Sequence, residues 1–279
     1  MLPVARAFRP DLVVSTVEQG AGPLLAAALG VPLVEQGIRL GWAGGDERAA
    51  EFRQVIADHL EPARQRLGID DVAPRITIDV RPPSMGGTAT ETQWLMRYVP
   101  YNESRVVPAW LTQPADRPRV CVTLGTVVPA LGGVAVLGEM LAELSTMDIE
   151  VLLALGDVDL SELGALPANT RALGWMPLSA LMPTCAAIVH HGGAATTATP
   201  LVHGVPQVAL PRSADQPLNA EVMSRRGVGI AVSETGEVAP ALRRVLSEPE
   251  FTKAATEVAD EIAAQPSPAA VVTELEALA

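Results

Sequence analysis

The chain has 279 residues, enough for one large or two ordinary domains, and 48% of them are hydrophobic, enough for a substantial core. Its formal net charge of −12 repels polyanions and acidic membrane surfaces, which argues against nucleic acid and lipid as partners. Cys121 and Cys185 sit in or beside apolar segments without CxxC spacing and read as buried free thiols in a reducing cytosol. The N-terminus has no charged leader followed by an unbroken apolar stretch. The longest such stretch, around "AGPLLAAALGVPLV", is broken by Gly and Pro and is too short to span a bilayer. These features predict a soluble cytoplasmic protein.

Residues 10–34 read as a strand–helix–strand unit built on "DLVVS" and "VPLV", residues 46–67 as a long amphipathic helix, and "ITIDV" as a further strand. That is fewer strands than a parallel-sheet domain normally needs. The chain therefore reads as starting part-way through a domain, short of ordinary size by roughly a hundred residues. A linker falls near 98–118, where "YVPYNESRVVPAWLTQPADRPR" carries four prolines and no periodicity. After it, strands "RVCVTL", "EVLLAL", "AAIVHH", "PQVALP" and "GIAV" are interleaved with helical patterns. One of these is "VAVLGEMLAELSTM" (134–147), and another, "NAEVMSRRG", ends on a glycine suited to a helix C′ position. The strands are continuously apolar, as for strands buried on both faces, so an α/β fold with a parallel sheet and helices on both faces is expected. Helices follow at "ALRRVLSE", "FTKAATEVADEIAAQ" and "AAVVTELEALA". The expected domains are 1–104 and 105–279, with the C-terminal helix packing back on the first.

The segment "AAIVHHGGAATTATPLVHGVPQVALP" (186–211) ends a strand on two histidines and then removes most side-chain bulk. His190 and His191 are strand neighbours that point to opposite sides, and neither HExxH nor a Cys/His quartet accompanies them, so no metal site is expected. GxSxG and GxGxxG are both absent. The pattern fits an anion at a helix N-terminus: Gly192 and Gly193 permit close backbone approach, and the amides opening the helix at Ala195, Thr196 and Thr197 attract phosphate. A tight strand-to-helix turn with a satisfied histidine fits the residues equally well. Pro200 should shorten or kink this helix, and Gly204 should end it.

With its neighbours, the turn carries a family resemblance. "LGWMPLSALMPTCAAIVHHGGAATTATPLVHGVPQVALPRSADQPLNAEVMSRRGVGIAV" resembles the donor-binding segment of GT-B fold, family 1 glycosyltransferases, most of all the bacterial branch that attaches deoxysugars to polyketides and other antibiotics. "RPRVCVTLGT" resembles the first strand and loop of the same domain. "RPDLVVSTVEQGAGPLLAAALGVPLVEQG" is similar to the last third of the family's N-terminal domain. The resemblance implies a Rossmann-like C-terminal donor domain and an incomplete Rossmann-like N-terminal acceptor domain. It implies phosphate contacts at His191, Gly193, Ala195 and Thr196, and a phosphate- and sugar-approaching loop at Thr126. Nucleobase packing falls to Trp175 and Met176, and donor sugar hydroxyls to Asp215 and Gln216. Read without the family, Trp175 is a core aromatic and Asp215 a helix N-cap. Two departures stand out: Ala195 replaces the usual Gly, and Thr199 stands where plant members carry a ribose-binding Glu, which favours a dTDP-sugar over a UDP-sugar.

The implied reaction is inverting transfer of a sugar from a nucleotide diphosphate donor to a hydroxyl of a natural-product aglycone, without metal or cofactor. The family's usual base has no counterpart before Met1. Glu18 is the only acid near the first strand's end and does not sit quite where the family's acid does. Trp42, Trp94 and Met96 are open to an acceptor-lining or a core reading. Two functions stay open: a glycosyltransferase, or a non-catalytic nucleotide-sugar-binding or helper subunit of an intact transferase. An apolar patch on the incomplete sheet would add self-association, so a homodimer or an auxiliary protein joins donor and aglycone among the expected partners.

Overall fold

The computed structural model describes residues 1–41, 47–70, 74–103, 105–125, 135–156 and 158–278. In chain order the described helices and strands are α1 (Leu2–Phe8), β1 (Val13–Ser15), α2 (Ala21–Leu29), β2 (Leu33–Gln36), α3 (Glu47–Leu67), β3 (Ile76–Asp79), β4 (Gln93–Leu95) and β5 (Arg119–Thr123). They continue with α4 (Ala135–Leu144), β6 (Glu150–Leu153), β7 (Thr170–Ala172), α5 (Leu178–Leu181), β8 (Ala187–His190), α6 (Ala194–Val202) and β9 (Gln207–Ala209). The last are α7 (Gln216–Arg226), β10 (Gly229–Ala231), α8 (Val238–Ser247), α9 (Pro249–Ala264) and α10 (Pro268–Glu276). They form two compact units, residues 1–98 with 264–279, and residues 99–263.

The first unit holds a parallel sheet in the order β1-β2-β3-β4. Val34, Ile76 and Ile78 form its core with Val271 of α10, and Trp94 and Met96, both half-buried, pack against that cluster. Trp42 lies outside the described residues. The tail is tied down by Gln265 Nε2 donating to Arg81 O at 2.8 Å and by Arg97 N donating to Pro266 O at 2.8 Å. Ser267 caps α10, accepting from Ala270 N, with Pro268 pre-set for the first turn. The buried Glu35 is neutralised by a two-pronged Arg53 contact at 2.7 and 2.9 Å.

The second unit holds a parallel sheet in the order β10-β9-β8-β5-β6-β7. Alternate residues feed opposite faces. Val120, Val122, Val151, Leu153, Ala187 and Val189 join one core cluster, while Cys121, Leu152 and Ile188 join the other. That double burial explains the unbroken apolar runs. α8 closes the first face with Val238, Ala239, Ala241, Leu242 and Val245, spaced as one helical stripe. Gly227 ends α7 in the left-handed region at φ +77°, as its place after "SRR" predicts.

β4 and β7 escape the sequence reading because "QWL" and "TRA" are short edge strands with no fully buried residue, so no apolar run marks them. α1 is missed because it buries none of its residues. The helix containing Pro200 runs on to Val202. Pro200 O there accepts from both His203 N and Val205 N, so the chain turns out through the proline carbonyl before Gly204 at φ +64°. Among the described residues no helix is long and apolar enough to cross a membrane.

Candidate functional site

The order of the second sheet reverses between β5 and β8, since β6 and β7 lie on one side and β9 and β10 on the other. Crossovers leaving β5 and β8 diverge at that point and open a crevice beyond the strands' carboxyl ends, where ligands of open parallel sheets bind. A cavity of about 770 Å³ occupies it. Thr123 and Gly125 border it from β5 and its loop, His191 and Gly193 from the turn after β8, and Trp175 and Met176 from the segment before α5. Asp215 and Gln216 border it at the start of α7.

The turn is held from several sides. His190 is fully buried, and its Nδ1 accepts from Gly192 N at 3.0 Å. Burial pushes the His190 pKa down to about 3, with His191 beside it adding to the fall and the Gln207 side chain opposing it. The ring is therefore neutral and can accept. Gly192 at φ +85° turns the chain, and Asn219 Nδ2 donates to its carbonyl at 3.0 Å. The two histidines diverge as strand neighbours do. The His191 ring lies between two glycines: a Cβ on Gly125 would stand 2.5 Å from its Cε1, and one on Gly193 would clash with its Nε2. Burial lowers the His191 pKa and the Asp215 charge opposes the fall, so this ring too is neutral at pH 7.

α6 begins directly after. Gly193 is its N-cap and provides no side-chain cap, and among the described residues nothing accepts from the amides of Ala194, Ala195 and Thr196. Three donors thus open the helix beside a neutral imidazole. No Lys or Arg borders the cavity among the described residues, so an anion there must be held by peptide N–H groups, the helix dipole and His191. Among those residues there is also no group of three His, Cys, Asp or Glu able to hold a metal ion.

Asp215 and Gln216 are arranged differently from a simple cap. Asp215 occupies the N-cap position of α7 but makes no capping bond. Its Oδ2 accepts from Asn219 Nδ2 at 2.9 Å instead. Gln216 Oε1 accepts from Arg212 N at 2.8 Å and Ser213 N at 3.2 Å, bracing the loop that contains Ala214 at φ +56°. Only the amide NH₂ of Gln216 remains for a ligand. Trp175 is half-buried at the cavity wall, its carbonyl held by Arg105 Nη1, while Met176 is packed in the core cluster below. Thr126 lies outside the described residues.

Two family models match, erythromycin biosynthesis protein CIII-like, N-terminal domain over residues 1–125 and C-terminal domain over residues 138–278. The elloramycin glycosyltransferase of Streptomyces olivaceus is 39% identical over 97% of this chain and 69% of its own length. The chain belongs to this family of glycosyltransferases. Its structural neighbours have the GT-B fold. They include a glycosyltransferase from Streptomyces nogalater, with TM-score 0.84 and 39% identity over 99% of this chain and 76% of that one. A glycosyltransferase of Streptomyces sp. SF2575 complexed with thymidine diphosphate superposes at TM-score 0.83, with 36% identity over 99% of this chain and 71% of that one.

In this transferase the cavity brings together His191, Gly193, Ala195, Thr196, Trp175, Met176, Asp215 and Gln216. Glu18 belongs to the first unit and pairs with Arg39 at 2.8 Å. The sequence reading missed Ala194, Tyr101 and Asn102 at the cavity and Asn219 beneath it. An uncharged polar residue four positions after Asp215 on one helix was the available signal for Asn219.

Proposed function

We propose that this glycosyltransferase binds a dTDP-deoxysugar in the second unit and transfers the sugar to a hydroxyl of a natural-product aglycone with inversion. The domain spanning 1–104 serves the acceptor and that spanning 105–279 the donor. The observation that carries the reading is the open set of amides at Ala194, Ala195 and Thr196 beside His191. They suit a diphosphate, and each charge-assisted bond contributes about 1.5–3 kcal/mol. As the sugar–phosphate bond breaks, these fixed dipoles stabilise the charge growing on the leaving diphosphate without reorganising. Trp175 packs the base, Thr126 approaches the phosphates, and Asp215 with the Gln216 amide holds sugar hydroxyls.

The preference for dTDP is supported by Thr199, which is fully buried with its hydroxyl donating to Ala195 O at 2.8 Å. No acid stands there to hold a ribose 2′-hydroxyl. A thymidine diphosphate complex of one neighbour accords with this. A second reading, donor binding without turnover as a helper subunit, rests on Glu18 being engaged by Arg39. Calorimetric titration with dTDP and UDP, on wild type and His191→Ala, tests the reading. Saturable dTDP binding, weakened on the order of tenfold or more by the substitution, is expected. Failure of both nucleotides at millimolar levels rejects it. Product formed from dTDP-deoxysugar and aglycone selects transfer over donor binding alone.

A further inference from the structure

Asn219 lies one helical turn after Asp215 on α7 and is fully buried. It is not among the residues bordering the cavity. Its Nδ2 donates to Gly192 O at 3.0 Å and to Asp215 Oδ2 at 2.9 Å. An amide nitrogen carries two hydrogens, so these two bonds use both. One acceptor belongs to the turn that presents His191 and the α6 amides. The other is the Asp215 carboxylate, which borders the same cavity from the start of α7.

We propose that Asn219 is a positioning residue that fixes the Asp215 carboxylate relative to the phosphate turn, so that a diphosphate and its attached sugar are gripped in one register. The inference rests on the donor reading above. Aspartate has nearly the same shape but no donor, and it would set a second carboxylate beside Asp215. Serine keeps a single short donor. Either change breaks the bridge between Asp215 and the turn, while the turn keeps its second tie, Gly192 N donating to His190 Nδ1 at 3.0 Å.

The test measures affinity for dTDP and for dTDP-L-rhamnose, with melting temperature alongside, in wild type, Asn219→Asp, Asn219→Ser, Asp215→Ala and the Asn219→Ser/Asp215→Ala double variant. Asn219→Asp and Asn219→Ser are expected to weaken the sugar nucleotide on the order of tenfold more than dTDP. In the Asp215→Ala background, Asn219→Ser is expected to leave the ratio of the two affinities unchanged, because its route to the sugar is already gone. Equal losses for both ligands, additive effects in the double variant, or a ratio insensitive to Asp215→Ala would each overturn the inference. If wild type binds dTDP and the Asn219 variants keep its ratio, only the inference fails. If wild type binds no dTDP, the donor reading fails and takes the inference with it. Should Asn219→Asp not fold, Asn219→Ser carries the same comparison.

Discussion

Both parallel sheets are built from the same strand–helix unit, yet only one sets its helix amides around a large cavity. In the first unit the strands run in sequence order, β1 to β4, so the described crossovers all step the same way. In the second the order reverses between β5 and β8, and the loops after those strands part. The two strand-to-helix turns differ accordingly. Before α2, Gln19 N donates to Thr16 O and Gly22 N to Gln19 O, so the turn itself takes up one opening amide, and Pro23 has none to offer. Before α6, a buried histidine and a buried asparagine hold Gly192 by its N–H and its C=O, leaving the next amides open. A helix N-terminus becomes a ligand site when side chains outside the helix stabilise the turn and topology leaves space before it.

The contrast can be broken at its foundation. Ile188→Ala, in fully buried β8, is expected to cost about 2–5 kcal/mol in urea unfolding, while Val14→Ala in β1, 45% exposed, should cost less than about 1 kcal/mol. Equal costs would show that the two sheets are not differently buried in solution. His190 supplies a pH signature. Its folded pKa of about 3 lies below the ordinary 6.5, so the unfolded chain takes up a proton that the folded chain refuses. Its stabilising contribution is complete above pH 6.5 and is lost as pH falls toward 3. The stability difference between wild type and His190→Asn should therefore shrink by roughly 2 kcal/mol from pH 7 to pH 5. A pH-independent difference would mean that the ring is solvated.

At the ligand level, Gly193→Ala displaces the His191 imidazole and is expected to weaken dTDP binding on the order of tenfold. Gly20→Ala at the turn before α2 meets only the side-chain ends of Leu60 and Ile56 and should leave dTDP affinity unchanged. The smallest effect is expected at Glu18. Glu18→Ala removes a largely buried pair with Arg39 in the first unit, and calorimetry should find the same dTDP affinity as wild type.

The continuous apolar runs of β5, β6, β8 and β9, the α8 stripe and the Gly227 stop were readable because burial on both faces, a helical period and a left-handed cap each leave a local mark. "QWL" and "TRA" left none, since edge strands are specified by the neighbour they pair with. The sequence by itself indicated a helix opening at Ala195 after a histidine and two glycines, one residue late, since the helix opens at Ala194 and Thr197 N, expected to be open, donates to Gly193 O. Only the tertiary structure decided that the strand order reverses there, that His191 fits between Gly125 and Gly193, and that Asn219 ties Asp215 to Gly192. Local composition sets which backbone groups are left without partners. Which distant side chains meet them depends on contacts between segments far apart in the chain, and those exist only once the sheet has formed.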